Sequence, residues 1–210
     1  MPKMTRRQIK KNIMSALRAL SRDSSLGYLA ITAKPETQIR DRVAWWFHRK
    51  YSTLVTAREY QIKSKHKRGQ RKRVDLTLLN AALDPVAAIE FKAMIVPDPL
   101  ANSNHHLMID LQNDLAKLGR ITHVPRFGIM LMVHIENVSQ LIRRRLDNGV
   151  VKYASNFRTY GKDSNAFEKA IRIARRFFDA SKPNSTRSLT AEIGSAWGTE
   201  IKLACFVLER

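Results

Sequence analysis

The sequence predicts an α/β fold, a mixed sheet flanked by helices. Three observations carry this. Apolar stripes at helical spacing alternate with short apolar runs of strand length. A continuous apolar run at residues 126–135, bounded by Pro125, suits a buried central strand. Two further strand-like runs flank a turn at residues 80–85, where Asp84-Pro85 marks the turn side. With 210 residues the chain is long enough for one compact domain with its own core.

The elements follow in order. Residues 5–20 read as a basic helix, because Ile9, Ile13, Leu17 and Leu20 fall on one stripe among Lys and Arg. Residues 21–34 read as a linker with turn chemistry. Residues 1–30 are therefore expected to form a basic helix and linker, and residues 31–210 the main domain. A second helix starts at Pro35, a residue suited to the first helical turn, with Ile39, Val43, Trp46 and Phe47 as its apolar stripe. Glu36 falls on the inward side of its first turn, where an acid also offsets the helix dipole. Strands are expected at 53–62, 73–80 and 85–96, then a helix at 103–118 with Gly119 as its C-cap. Helices at 136–146 and 164–180 and a last strand at 201–209 complete the chain. Trp45, Trp46 and Tyr51 read as core residues.

Charge narrows the function. The chain has 38 Lys and Arg against 18 Asp and Glu, a net +20. Residues 1–73 hold 20 of the cations and 4 of the acids, so +16 of the excess sits in the first third. Nucleic acid is the polyanion such a segment fits, since each neutralised phosphate releases counterions. The segment Lys63 to Arg73 alone carries seven cations, Lys63, Lys65, Lys67, Arg68, Arg71, Lys72 and Arg73. It reads as an exposed loop gripping phosphates. No apolar run reaches the roughly 18–20 residues of a membrane helix, so no membrane role is expected. The start of the chain lacks a secretory apolar stretch. The lone Cys205 excludes an intrachain disulfide and a multi-cysteine zinc site. A reducing, cytoplasmic location is the expectation.

The chemistry is expected on the hairpin. With a turn at 80–85, Asp75 and Glu90 are equidistant from it and stand opposite each other, Cβ atoms about 5 Å apart. Alternation then puts Asp75, Thr77, Glu90 and Lys92 on one face and Val74, Leu76, Ile89 and Phe91 on the other. Two like charges face to face are destabilising unless compensated, and a hard divalent cation is the natural compensator. An ordinary amphipathic hairpin can also carry these residues outward. The strand placement, the flanking apolar runs and the basic segment agree on the chemical reading.

RVDLTLLN followed by AAIEFKA resembles the PD-(D/E)XK nuclease superfamily, over roughly residues 35–135. Val74 stands where many members have proline. The resemblance implies a restriction-endonuclease-like core and a metal-dependent DNA endonuclease. It implies Asp75 and Glu90 as Mg²⁺ (or Mn²⁺) ligands, the Phe91 carbonyl as a third, Lys92 as the motif lysine, and Glu36 as the acid of the preceding helix. DNA is the implied partner, and a homodimer is compatible with it. A catalytically inactive nucleic-acid-binding protein on this fold, and a basic nucleic-acid-packing protein, are the rivals.

Overall fold

The computed structural model describes residues 4–63, 71–100, 106–121, 123–136, 144–145, 165–180 and 185–210. Three helices come first: α1 (Arg6–Ala19), α2 (Leu26–Thr32) and α3 (Pro35–Lys50). Strands β1 (Val55–Lys63), β2 (Arg71–Leu79) and β3 (Pro85–Ile95) follow. Then come α4 (Pro97–Leu100), α5 (His106–Ile121), β4 (Arg126–Ile135), α6 (Ala166–Ala180) and the hairpin β5 (Ser185–Ala196) and β6 (Thr199–Glu209). The six strands form one mixed sheet in the order β1-β2-β3-β4-β6-β5. Among the described strands, β3 and β4 alone pair in parallel, with α4 and α5 in the crossover between them.

Helices cover both faces of this sheet. On one face Ile9, Ile13 and Leu17 of α1, Leu26 of α2 and Ile39, Val43 and Phe47 of α3 join Leu76, Ile89, Phe91 and Ile129 in one core. On the other, Met108, Leu111, Leu115 and Leu118 of α5 and Phe178 of α6 pack on Ala88, Met130 and Phe206. Strand β4 is buried on both sides, as a central strand in such a sandwich must be. Thr5 caps α1 through a reciprocal pair with Gln8: its Oγ1 accepts from the Gln8 N–H at 3.2 Å, and its own N–H donates to Gln8 Oε1 at 2.7 Å. Among the described residues no helix is long and apolar enough to cross a membrane.

Several expectations need correction. Residues 21–34 are not an irregular linker: a 3-10 turn at Leu20–Arg22 leads into α2, which buries Leu26, Gly27, Ala30 and Ile31. Gly119 lies inside α5 rather than capping it. The space a side chain would need is filled by the Arg126 guanidinium, 1.8 Å from the position of a Cβ. Strand β5 was not expected, because its Ser, Thr and Gly content hides an edge strand paired on one side only. The helix expected at 136–146 falls mostly outside the described residues; Arg144 and Arg145 within it are helical.

Gly194 marks a bulge in β5, where the register with β6 shifts between Glu192 and Ser195. Its φ is +104°, and a Cβ there would lie 2.4 Å from the Ser24 carbonyl oxygen. The bulge thus lets the turn before α2 sit against the sheet edge. Gly194→Ala is predicted to cost about 2–4 kcal/mol, backbone strain plus overpacking, read as a lowered urea midpoint. A loss under about 0.5 kcal/mol, the range of an unremarkable surface substitution, would contradict this account of the bulge.

Candidate active site

The site is built where β2 and β3 part. Their pairing runs Leu78↔Ala87, Thr77↔Ala88, Leu76↔Ile89 and stops there. The next positions in this register are Asp75 and Glu90, the pair expected from the sequence. Instead of a further ladder bond, the Phe91 N–H donates to Asp75 Oδ2 at 2.7 Å. A carboxylate thus takes the backbone donor that a continuing strand would have taken. The N–H and C=O of one strand residue point to the same side. The Phe91 carbonyl is therefore directed into the same fork, while its ring is fully buried in the core.

Strand β2 turns as it leaves β3. Glu59 of β1 has a φ of 54°, and the β1–β2 ladder skips the pair Glu59 and Asp75 between Arg58↔Leu76 and Tyr60↔Val74. Val74 consequently packs in the α5–α6 layer with Tyr60 nearby, whereas Leu76, Ile89 and Phe91 pack in the α1–α3 layer. This corrects the expectation that Val74 shares their face: the ribbon coils at Asp75, and simple alternation fails across the coil. The acid face is also more enclosed than expected. Thr77 is fully buried, with no hydrogen-bond partner for its hydroxyl among the described residues, and Glu90 is 4% exposed.

Charges from both layers meet here. Lys92 Nζ reaches Asp114 Oδ2 of α5 at 3.1 Å. Burial works against the Lys92 charge, but the Asp114 hydrogen bond and the charges of Asp114, Glu36 and Asp75 outweigh it and raise its pKa. Lys92 is therefore an ammonium at neutral pH. Glu36, at the first turn of α3, has its carboxyl pushed above the ordinary value by burial and by the Asp75 charge, against the pull of Lys92, Lys34 and Arg40. Glu36, Asp75 and Lys92 thus share one electrostatic environment. Glu59 stands outside it, half exposed and ion-paired with Arg40.

Asp114 was missed in the sequence. Its signal is legible afterwards: it lies on the α5 face of Leu107, Leu111 and Leu118, an acid at an apolar helical spacing. Asp110, one turn before Asp114, is exposed. The basic segment is only partly a loop. Lys63 belongs to β1 and Arg71, Lys72 and Arg73 to β2, in the register Lys63↔Arg71 and Ile62↔Lys72. Arg73 is exposed; Lys65, Lys67 and Arg68 lie outside the described residues.

Among the described residues no group of three or more His, Cys, Asp or Glu side chains is arranged to hold a metal ion. A metal in the fork would draw on two carboxylates, a backbone carbonyl and water. Such all-oxygen donors fit a hard divalent cation. No family model, curated protein or solved structure matches the chain.

Glu36 supplies a test of this electrostatic picture. An acid whose pKa is raised by folding makes stability fall with pH, because the native state holds its proton longer than the unfolded one. The fall starts near the ordinary glutamate value and ends at the raised one. Wild type and Glu36→Gln, unfolded in urea at stepped pH without divalent metal, are predicted to diverge across that window, the wild type losing stability relative to the variant. Parallel profiles would show that Glu36 does not carry this strain.

Proposed function

We propose that the protein is a metal-dependent DNA endonuclease built on a restriction-endonuclease-like core. The observation that carries this reading is the strand fork: Asp75 is anchored beside Phe91 and next in register to Glu90, with Lys92 two residues further on. The strand order supports it too, since the hairpin that bears the acids runs into a parallel β3–β4 pair through a helical crossover.

In this reading Asp75, Glu90 and the Phe91 carbonyl hold Mg²⁺, or Mn²⁺ in its place. The ion, when bound, supplies Lewis acidity to the phosphoryl group and acidifies the attacking water. The remaining work belongs to the chain. Lys92, kept protonated by Asp114 and the neighbouring acids, acts as a donor rather than a base. It orients the nucleophile and offsets the charge that grows on the phosphate. Asp114 is a positioning residue, because it acts through Lys92. Glu36 adds carboxylate charge from the opposite layer, which strengthens cation binding. The cations of the β1–β2 ribbon, Lys63 and Arg71 to Arg73, together with Lys65, Lys67 and Arg68, contact the phosphate backbone. Such contacts supply affinity without sequence information.

Supercoiled, linear, branched and single-stranded DNA incubated with and without Mg²⁺ tests the reading. Asp75→Ala and Glu90→Ala are predicted to abolish cleavage while DNA binding holds or tightens, because anionic repulsion is removed. Lys92→Ala is predicted to lose roughly 10²-fold or more in rate with metal affinity little changed. Wild-type cutting by either carboxylate variant would defeat the assignment. Tight metal-independent binding with no cleavage of any substrate would favour an inactive binding protein.

A further inference from the structure

The sequence placed Trp45 in the core, but its residue is 59% exposed. It lines an open cleft of about 420 Å³ between α1 and α3. The α1 wall offers only short or aliphatic side chains, Ala16, Ala19 and Leu20. The α3 wall offers Trp45, Trp46, Arg49 and Lys50. Trp45 is stacked on His48 at 5.4 Å between centroids and 30° between planes. Lys50 Nζ lies 4.7 Å from the centre of the Trp46 ring. Asp23, the carboxylate among the described lining residues, is neutralised by Arg42. The cleft therefore combines an accessible indole, a shallow aliphatic wall and the cations Arg49 and Lys50.

We infer that this cleft binds single-stranded nucleic acid, with one unpaired base stacked on Trp45 and neighbouring phosphates held by Arg49 and Lys50. It rests on the proposed function for the class of partner and for the position of the cut. Charge complementarity selects that partner: the N-terminal third of the chain has a +16 excess, and the acid in the cleft is already paired. Stacking selects its single-stranded form. A base in a duplex has both faces covered by its neighbours, whereas every unpaired base offers a π-face to an aromatic side chain. Trp45 and Glu36 share α3 but stand about 14 Å apart along its axis and on opposite faces. The base at Trp45 thus belongs to a segment several nucleotides removed from any phosphate at Asp75. This makes DNA with a single-stranded stretch beside the cut, an overhang, flap or bubble, the preferred substrate class.

The test is binding of the full-length protein, in EDTA so that no cleavage intervenes, to labelled oligo-dT of about 15 nucleotides and to a duplex of the same length. Trp45→Ala is expected to weaken oligo-dT binding roughly 5- to 150-fold, with Trp45→Phe recovering most of the loss. Duplex affinity is expected to stay unchanged. Quenching of tryptophan emission by oligo-dT is expected in wild type and reduced in Trp45→Ala. Unchanged oligo-dT affinity in Trp45→Ala, or an equal loss on oligo-dT and duplex, would overturn the inference. So would a Trp45-dependent attachment to vesicles rich in anionic lipid with oligo-dT binding unaffected. No binding of either DNA by the wild type would overturn both this inference and the nucleic-acid reading. Trp45-dependent oligo-dT binding in a protein that never cleaves DNA would support the inference and defeat only the nuclease assignment.

Discussion

The hydrogen bond from the Phe91 N–H to the Asp75 carboxylate is the contact on which the site depends. Strand β3 parts from β2 beyond Ile89 while its other edge stays paired with β4, and that departure leaves a backbone donor without a ladder partner on the β2 side. Filling it with a carboxylate solves the local problem and creates a functional one. An acid is fixed in the sheet plane, next in register to Glu90, where like charges repel. Lys92, held in place by Asp114, offsets part of that charge on one side. Glu36 has its proton affinity raised first by burial and then by the Asp75 charge.

The same contact ties the site to both helical layers. Glu36 arrives from α3, which packs on the face lined by Ile89 and Phe91. Asp114 arrives from α5, which packs on the face lined by Ala88 and Met130. The hairpin between them contributes Asp75, Glu90 and Lys92. The cluster therefore exists only when both layers are docked, and core packing acts on the site chemistry through two helices on opposite faces of the sheet.

The sequence made the hairpin legible because its register follows from symmetry about the turn. Leu76↔Ile89 in the structure is the pairing that puts Asp75 and Glu90 next in line. Alternation also sorted Leu76, Ile89 and Phe91 onto one face. It failed at Val74, because a left-handed Glu59 coils the β1–β2 ribbon and no residue type announces such a φ on a glutamate. The helix α2 was hidden by its shortness and by Gly27, a residue chosen for close approach to β5 rather than for helix propensity. Gly119 misled in a similar way: its small size serves the Arg126 side chain, which comes from another element. Asp114 went unread because its partner Lys92 is remote in sequence, and Trp45 because an aromatic beside a buried stripe looks like core. What was legible is local pattern; what was not is contact between elements.

In the proposed function the strand fork is a divalent-cation site. Titration of the full-length protein with Mn²⁺, following the free ion by electron paramagnetic resonance, measures this without DNA or turnover. The account predicts that the wild type takes up Mn²⁺, that Asp75→Asn and Glu90→Gln lose this uptake, and that Glu59→Gln, outside the fork and paired with Arg40, keeps it. Equal uptake by wild type and Asp75→Asn, or none by the wild type, would contradict it.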